Sequence, residues 1–284
     1  MKTAIGLFLF CLLSLAAVAQ DSRPYEWYAA TYPFMQHKGK TFTIESELRW
    51  PEGYQRVDSA TLTPYQFWVS HLPLWYASRP VARVSGVALA AEKIACAIHL
   101  PWRTVRYYDY TIPLQLWFEF NFMRGDTTGF AWVPFEGDTI TVARFLTGDP
   151  IAYRGRELQF RAADPKPLND CTQDKCMDHC AKWTNFGSLA ANAAEVDTTD
   201  IRPGDMLIAT EDVPTKGRVW TVLTVLTNEN GEKLYLVGTG CDFGCDFYIP
   251  LANDQKDYPW LTGEQLFALP ADYPNWKFYR FQID

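Results

Sequence analysis

The chain has 284 residues, 48% of them hydrophobic and 15% aromatic, which excludes a disordered or low-complexity protein. Its 26 Lys+Arg against 33 Asp+Glu give a formal net charge of −7 with no basic run. That balance argues against nucleic-acid binding driven by phosphate neutralisation and against anionic lipid surfaces. The length suits one large domain, or two that are closely packed.

Residues 1–19 read MKTAIGLFLFCLLSLAAVA: one Lys, a short apolar run, then the small-x-small step Ala17-Val18-Ala19. This is the pattern of a secretory signal peptide, with Gln20 as the expected mature N-terminus. The run is too short to span a bilayer, and no later stretch approaches ~20 apolar residues, so no membrane insertion is expected. Localisation is then periplasmic or extracellular.

Residues 20–47 form an N-terminal arm, aromatic over 20–38, and Lys40 to Leu48, running from its end into the domain, alternates like a strand. Thr63-Pro64 opens a helix, with Thr63 as N-cap and Pro64 at the first helical position; Pro73 marks its end. Val81 to His99 has strand-like pieces. Trp102 to Phe122 reads as a buried helix that kinks or breaks at Pro113. Thr139 to Leu146 and Glu157 to Arg161 read as strands, and Cys176 to Ala194 as a helix. Five strands follow: Asp205 to Thr210, Val219 to Leu226, Lys233 to Gly238, Phe247 to Leu251 and Trp276 to Ile283. Asn230-Gly231 is a hairpin signal between two of them. The order predicts an α+β domain, its helix-rich first part packed on a mostly antiparallel sheet.

Six cysteines follow the leader, five of them in two clusters: Cys171, Cys176 and Cys180, then Cys241 and Cys245. In an exported chain these are disulfide candidates, with bridges expected between the clusters. A tetrahedral zinc site with His179 as spare ligand is the alternative, although the spacing is not a Cys-x2-Cys knuckle. No metal and no cofactor is assigned. Cys96 stands apart as a buried thiol, a pairing partner or a nucleophile. Of the four histidines, His71 reads as a core or cap residue. His99 lies three residues after Cys96, and His179 is a further candidate base for that thiol. The acids Asp109, Glu119, Asp126, Glu136 and Asp138 show no pair spacing of the glycosidase kind and read as solvated loop acids.

A series of phrases, in order, carries a resemblance: PEGYQRV (51–57), FWVSHLPL (67–74), FNFMRGDTTGFAWVPFEG (120–137), FGSLAANAAEV (186–196), IRPGDMLIA (201–209), GEKLYLV (231–237), DYPW (257–260) and WKFYRF (276–281). Together they resemble the bacterial exported family called domain of unknown function 4846, here over residues 48–284. That family is in turn similar to cysteine peptidases and amidases of the NlpC/P60 type, which have a papain-like core. The resemblance implies a Cys near a helix start, a Gly-Asp turn opening a strand, and a Gly-His-Ala step opening the next. The turn is present as Gly204-Asp205. Arg218, in Gly217-Arg218-Val219, stands at the His position, and an arginine has no acceptor with which to act as a base. Aligned back from residue 120, Tyr107 stands at the Cys position, followed by Tyr108-Asp109. A rival alignment uses Cys96-Ala97. The family's Gln-Ser-Tyr-Met stretch corresponds to Gly238-Thr239-Gly240-Cys241.

The resemblance therefore implies a degenerate cysteine-peptidase-like domain that binds a cell-envelope peptide or glycan without cutting it. Asp109, Trp132, Arg218 and Trp220 are its candidate groove residues. Two other readings stay open: a hydrolase using Cys96, and a structural interaction protein of the envelope.

Overall fold

The structure is a computed structural model that describes residues 42–75, 80–83, 85–100, 108–124, 130–154, 157–160, 172–213, 216–241, 244–252 and 258–283. The expected leader, most of the arm, Tyr107, Asp126 and Cys171 lie outside the described residues.

The strand expected over Lys40 to Leu48 is only β1 (Phe42–Thr43), followed at once by α1 (Ile44–Glu47). A capping box decides this. Thr43 Oγ1 accepts from the Ser46 N–H at 3.1 Å and Ser46 Oγ accepts from the Thr43 N–H at 3.0 Å, which starts a helix where alternation alone suggests a strand. After β2 (Gln55–Arg56) comes α2 (Pro64–Val69), capped by Thr63 with Gln66 reciprocating, as the Thr-Pro step predicts. The helix stops at Val69, so Pro73 does not end it. Pro73 lies instead in β3 (Pro73–Leu74), which pairs antiparallel with β1.

β4 (Ile94–Ala97) precedes the longest described helix, α3 (Thr111–Met123). Pro113 neither kinks nor breaks it. As the third helical residue it sits in the first turn, where its missing N–H would have no partner in any case. β5 (Ala131–Trp132) pairs with β6 (Ile140–Thr141), and the strand expected there turns into α4 (Val142–Leu146), which buries Val142 and Phe145 on one face. β7 (Ile151–Arg154) and β8 (Glu157–Phe160) make a separate two-stranded ribbon. The single helix expected from Cys176 is two, α5 (Gln173–Lys182) and α6 (Phe186–Ala191). They are separated because Asn185 accepts from the Ser188 N–H at 2.9 Å and caps a new start. The last part holds β9 (Ala193–Val196), β10 (Met206–Thr210), β11 (Gly217–Thr227), β12 (Lys233–Thr239), β13 (Tyr248–Pro250), β14 (Leu261–Thr262), α7 (Gly263–Ala268) and β15 (Asn275–Phe281). The Asn230-Gly231 step lies in the β11–β12 turn, with Gly231 at φ +79° and Asn228 Oδ1 accepting from the Asn230 and Glu232 N–H groups.

The described residues thus form a mixed helix–sheet fold with seven α-helices. Nine strands make one antiparallel sheet, ordered β4-β13-β12-β11-β10-β15-β9, with β14 on β12 and β2 on β11. The long central strand β11 is buried on both faces. Val219 and Leu223 face a core shared with Trp68, Leu114, Phe118, Met177 and Leu189. Trp220, Val222 and Val225 face a second core closed by Leu266 of α7. A bulge between Val222 and Thr224 moves the alternation by one residue, which is why Val222 and Val225 share a face. Gly204 and Asp205 lead into β10. The Asp205 carboxylate, fully buried, takes two hydrogen bonds from Arg280 of β15, at 2.7 and 2.8 Å.

Candidate functional site

Three elements meet at Asp109: the start of α3, the start of β11 and the end of β12. Asp109 precedes the helix and is only 2% exposed. Its Oδ1 accepts from the Tyr110 N–H at 2.9 Å, and its Oδ2 from the Val219 N–H of β11 at 3.2 Å, across 110 residues of sequence. Val219 is held on its other side as well, since Thr239 Oγ1 donates to its carbonyl at 2.8 Å. Gly240 completes the junction. A Cβ there would lie 2.9 Å from the Asp109 Cα and 2.8 Å from the Ile112 Cδ1, so only glycine lets the chain leaving β12 pass the helix start. Gly217 is tighter still, since a Cβ would lie 2.2 Å from the Ala209 carbonyl oxygen.

Arg218 stands beside this junction. Its Nε is 3.9 Å from Asp109 Oδ2, and its Cζ is 6.0 Å from the ring centre of Trp220, two residues along the same face of β11. The side chain is 22% exposed, so one edge of a permanently cationic group meets solvent beside a buried carboxylate. Arg218 also reaches the hydroxyl of Tyr248 on β13. Burial pushes the Tyr248 phenol above its ordinary range, and the Arg218 guanidinium works in the opposite sense. Cys245 lies against the same cation. Burial first, then the neighbouring Cys241 thiol and Asp246, push its thiol up, while Arg218 opposes them. The cluster can hold a carboxylate or another anionic group. It offers no general base at position 218.

Of the expected groove residues, the structure therefore groups Asp109, Arg218 and Trp220. Trp132 is not among them. It is 0% exposed on β5, with its ring 5.6 Å from Trp117, and belongs to the core. Asp109 and Glu119 are buried rather than solvated loop acids, whereas Glu136 and Asp138 are exposed as expected. Cys96 sits within β4 opposite Ile249, in a strand and not at the start of a helix. Burial and then the Glu47 carboxylate push its thiol up to about 12, so it is protonated at neutral pH. His99 stacks on Trp75 at 3.4 Å and His179 packs edge-on against Phe145. The described cysteines Cys96, Cys176, Cys180, Cys241 and Cys245 carry thiols. The near neighbours are within each cluster, Cys176 with Cys180 and Cys241 with Cys245, in place of the bridges expected between clusters. No group of three or more His, Cys, Asp or Glu among the described residues can hold a metal ion. Sequence reasoning missed Tyr248. The available signal was the repeat CDFGCDFY, whose second half continues as the strand pairing with β12.

No helix among the described residues is long and apolar enough to cross a membrane. Neither a curated protein nor a solved structure matches the chain. A family described as Domain of unknown function (4846) matches residues 44–284, and the chain belongs to that family.

Proposed function

We propose that the chain is an exported cell-envelope domain on a papain-like scaffold of the NlpC/P60 kind. Its former catalytic positions bind a carboxylate-bearing peptide or glycan and do not hydrolyse it. Residues 1–19 would direct export to the periplasm or beyond. The observation that carries this reading is the contact of the α3 start with β11: Asp109 takes the Val219 N–H and lies 3.9 Å from Arg218. A cysteine hydrolase of that kind needs its helix start and its base-bearing strand side by side. Here the strand offers a guanidinium, which recognises carboxylates and cannot accept a proton.

The test is titration of the purified full chain with peptidoglycan stem peptides and glycan fragments by calorimetry, with mass spectrometry of the ligand afterwards. The expected result is binding without cleavage, weakened ~10–100-fold by Arg218→Gln, the loss of one charge-assisted contact. Cleavage that vanishes in Arg218→Ala would overturn the reading. The second reading, a structural interaction protein, is favoured by how completely Asp109 is enclosed. It predicts no binding of either ligand class.

A further inference from the structure

We infer that Cys241 and Cys245 form a dithiol–disulfide exchange site whose oxidant is a small-molecule or protein disulfide. Cys241 follows Gly240, which is pinned against Asp109, and Cys245 precedes β13. Both ends of the loop are fixed. The Gly244 N–H donates to the Cys241 carbonyl at 3.0 Å, with Gly244 at φ +74°, and closes the turn. Beyond it the Asp246 N–H donates to the Ala82 carbonyl at 3.0 Å, and Asp246 Oδ2 accepts from the Ala82 N–H at 3.1 Å. The turn brings the two thiols within hydrogen-bonding reach of each other.

The pair is asymmetric. Cys241 is half-buried and Cys245 is 1% exposed. A donor disulfide can therefore meet Cys241 first, and Cys245 is placed to resolve the mixed disulfide. Arg218 lies against Cys245, where its charge opposes the upward push of burial on that thiol. Cys176 and Cys180 provide the contrast. They have the same spacing and touching thiols, but both are fully buried on α5, where no donor reaches them.

The chemistry balances. The Cys241 thiolate attacks one sulfur of the donor disulfide, whose S–S bond breaks and releases one thiolate. The Cys245 thiol loses its proton to solvent and attacks Cys241 Sγ, which expels the second thiolate. Two protein thiols are oxidised by two electrons, and one donor disulfide is reduced to two thiols. This inference goes beyond the ligand-binding proposal and stands without it.

The experiment takes the reduced full chain, adds glutathione disulfide, quenches with an alkylating agent and maps the peptides. In the wild type, the segment holding Cys241 and Cys245 should lose both free thiols and carry no glutathione. Cys245→Ser should accumulate a glutathione adduct on Cys241. Cys241→Ser should form adduct on Cys245 about tenfold more slowly, because that thiol is enclosed. Should a variant fail to fold, native alkylation of the reduced wild type still decides: Cys241 must react about tenfold faster than Cys245. A bridge from either residue to Cys96, Cys171, Cys176 or Cys180 would overturn the inference. So would two thiols that stay alkylatable after oxidation, or equal reactivity of the pair.

Discussion

Arg56 donates through Nη1 to Nε2 of His71 at 2.6 Å. Arginine has no acceptor, so Nε2 must accept, and His71 carries its proton on Nδ1, which faces the Phe67 carbonyl at 2.7 Å. The Trp50 ring lies 5.2 Å from the same guanidinium. The buried Arg56 Nε and Nη2 have no hydrogen-bond partner among the described residues. His71 is thus the acceptor on which this cation depends.

His71→Leu should therefore cost ~1–3 kcal/mol, more than its apolar surroundings suggest, because it strands a part-buried cationic donor. The double variant Arg56→Met/His71→Leu should be less destabilised than the sum of the single variants by ~1 kcal/mol or more. Urea denaturation of the four proteins measures the coupling. Additive effects would show that the hydrogen bond carries no net weight.

At the β12–α3 junction, Gly240→Ala should destabilise by ~1–3 kcal/mol, since its Cβ meets backbone at Asp109 that cannot rotate away. Asp109→Ala should cost ~2–4 kcal/mol by leaving the Val219 N–H unpaired and removing the carboxylate beside Arg218. Denaturant midpoints check both. A Gly240→Ala protein as stable as the wild type would contradict the close approach described above.

Breaking the Asp205–Arg280 pair should be among the costliest polar changes. Asp205→Ala removes the two carboxylate acceptors by which the Arg280 guanidinium ties β15 to the start of β10 and should cost ~3–5 kcal/mol. Arg280 keeps its hydrogen bonds to Asp200, at 3.1 Å to the carboxylate and 2.6 Å to the backbone carbonyl, which sets the effect toward the lower end. Thermal denaturation by calorimetry reads it.

Cys96 gives a pH prediction. Burial, and then the Glu47 carboxylate, push its thiol up to about 12 from the ordinary 9.0, so the folded state holds the proton more tightly. The stability it contributes is present below pH ~9 and is lost as pH rises towards ~12, at up to ~1.4 kcal/mol per pH unit. Cys96→Ala should lower stability at pH 7 by ~1–2 kcal/mol through lost packing, yet flatten the alkaline decline. Denaturant midpoints of both proteins from pH 7 to 11 test this. Parallel curves would mean that the thiol is not held protonated by the fold.

How much of this was legible depended on how local each cause was. Thr63-Pro64 announces α2 because cap and first turn are neighbours in sequence. The antiparallel strands of the last third read clearly because their apolar runs are long and the Asn230-Gly231 turn is explicit. Lys40 to Leu48 misleads because side-chain capping by Thr43 and Ser46 outweighs a pattern of alternation. Pro113 misleads because the same residue breaks a helix in its interior and suits it in its first turn, and the start at Thr111 carries no capping side chain. In the site, Arg218 and Asp109 could be named from aligned phrases. The burial of Trp132 and the reach of Tyr248 come from non-local packing that no spacing encodes, whereas the approach of Cys241 to Cys245 is a local turn whose closing hydrogen bond the sequence does not print.

The place of β15 sets an order of events for the newly made chain. This strand, made after both of its neighbours, lies inside the sheet between β10 and β9. Until residues 275–281 emerge, β10 presents an open edge, β9 has no neighbour in the sheet, and the buried Asp205 lacks its cation. The sheet therefore cannot close before β15 has been made. A nascent chain arrested before residue 275 should stay open to proteolysis at both strands, whose pairing partner is β15.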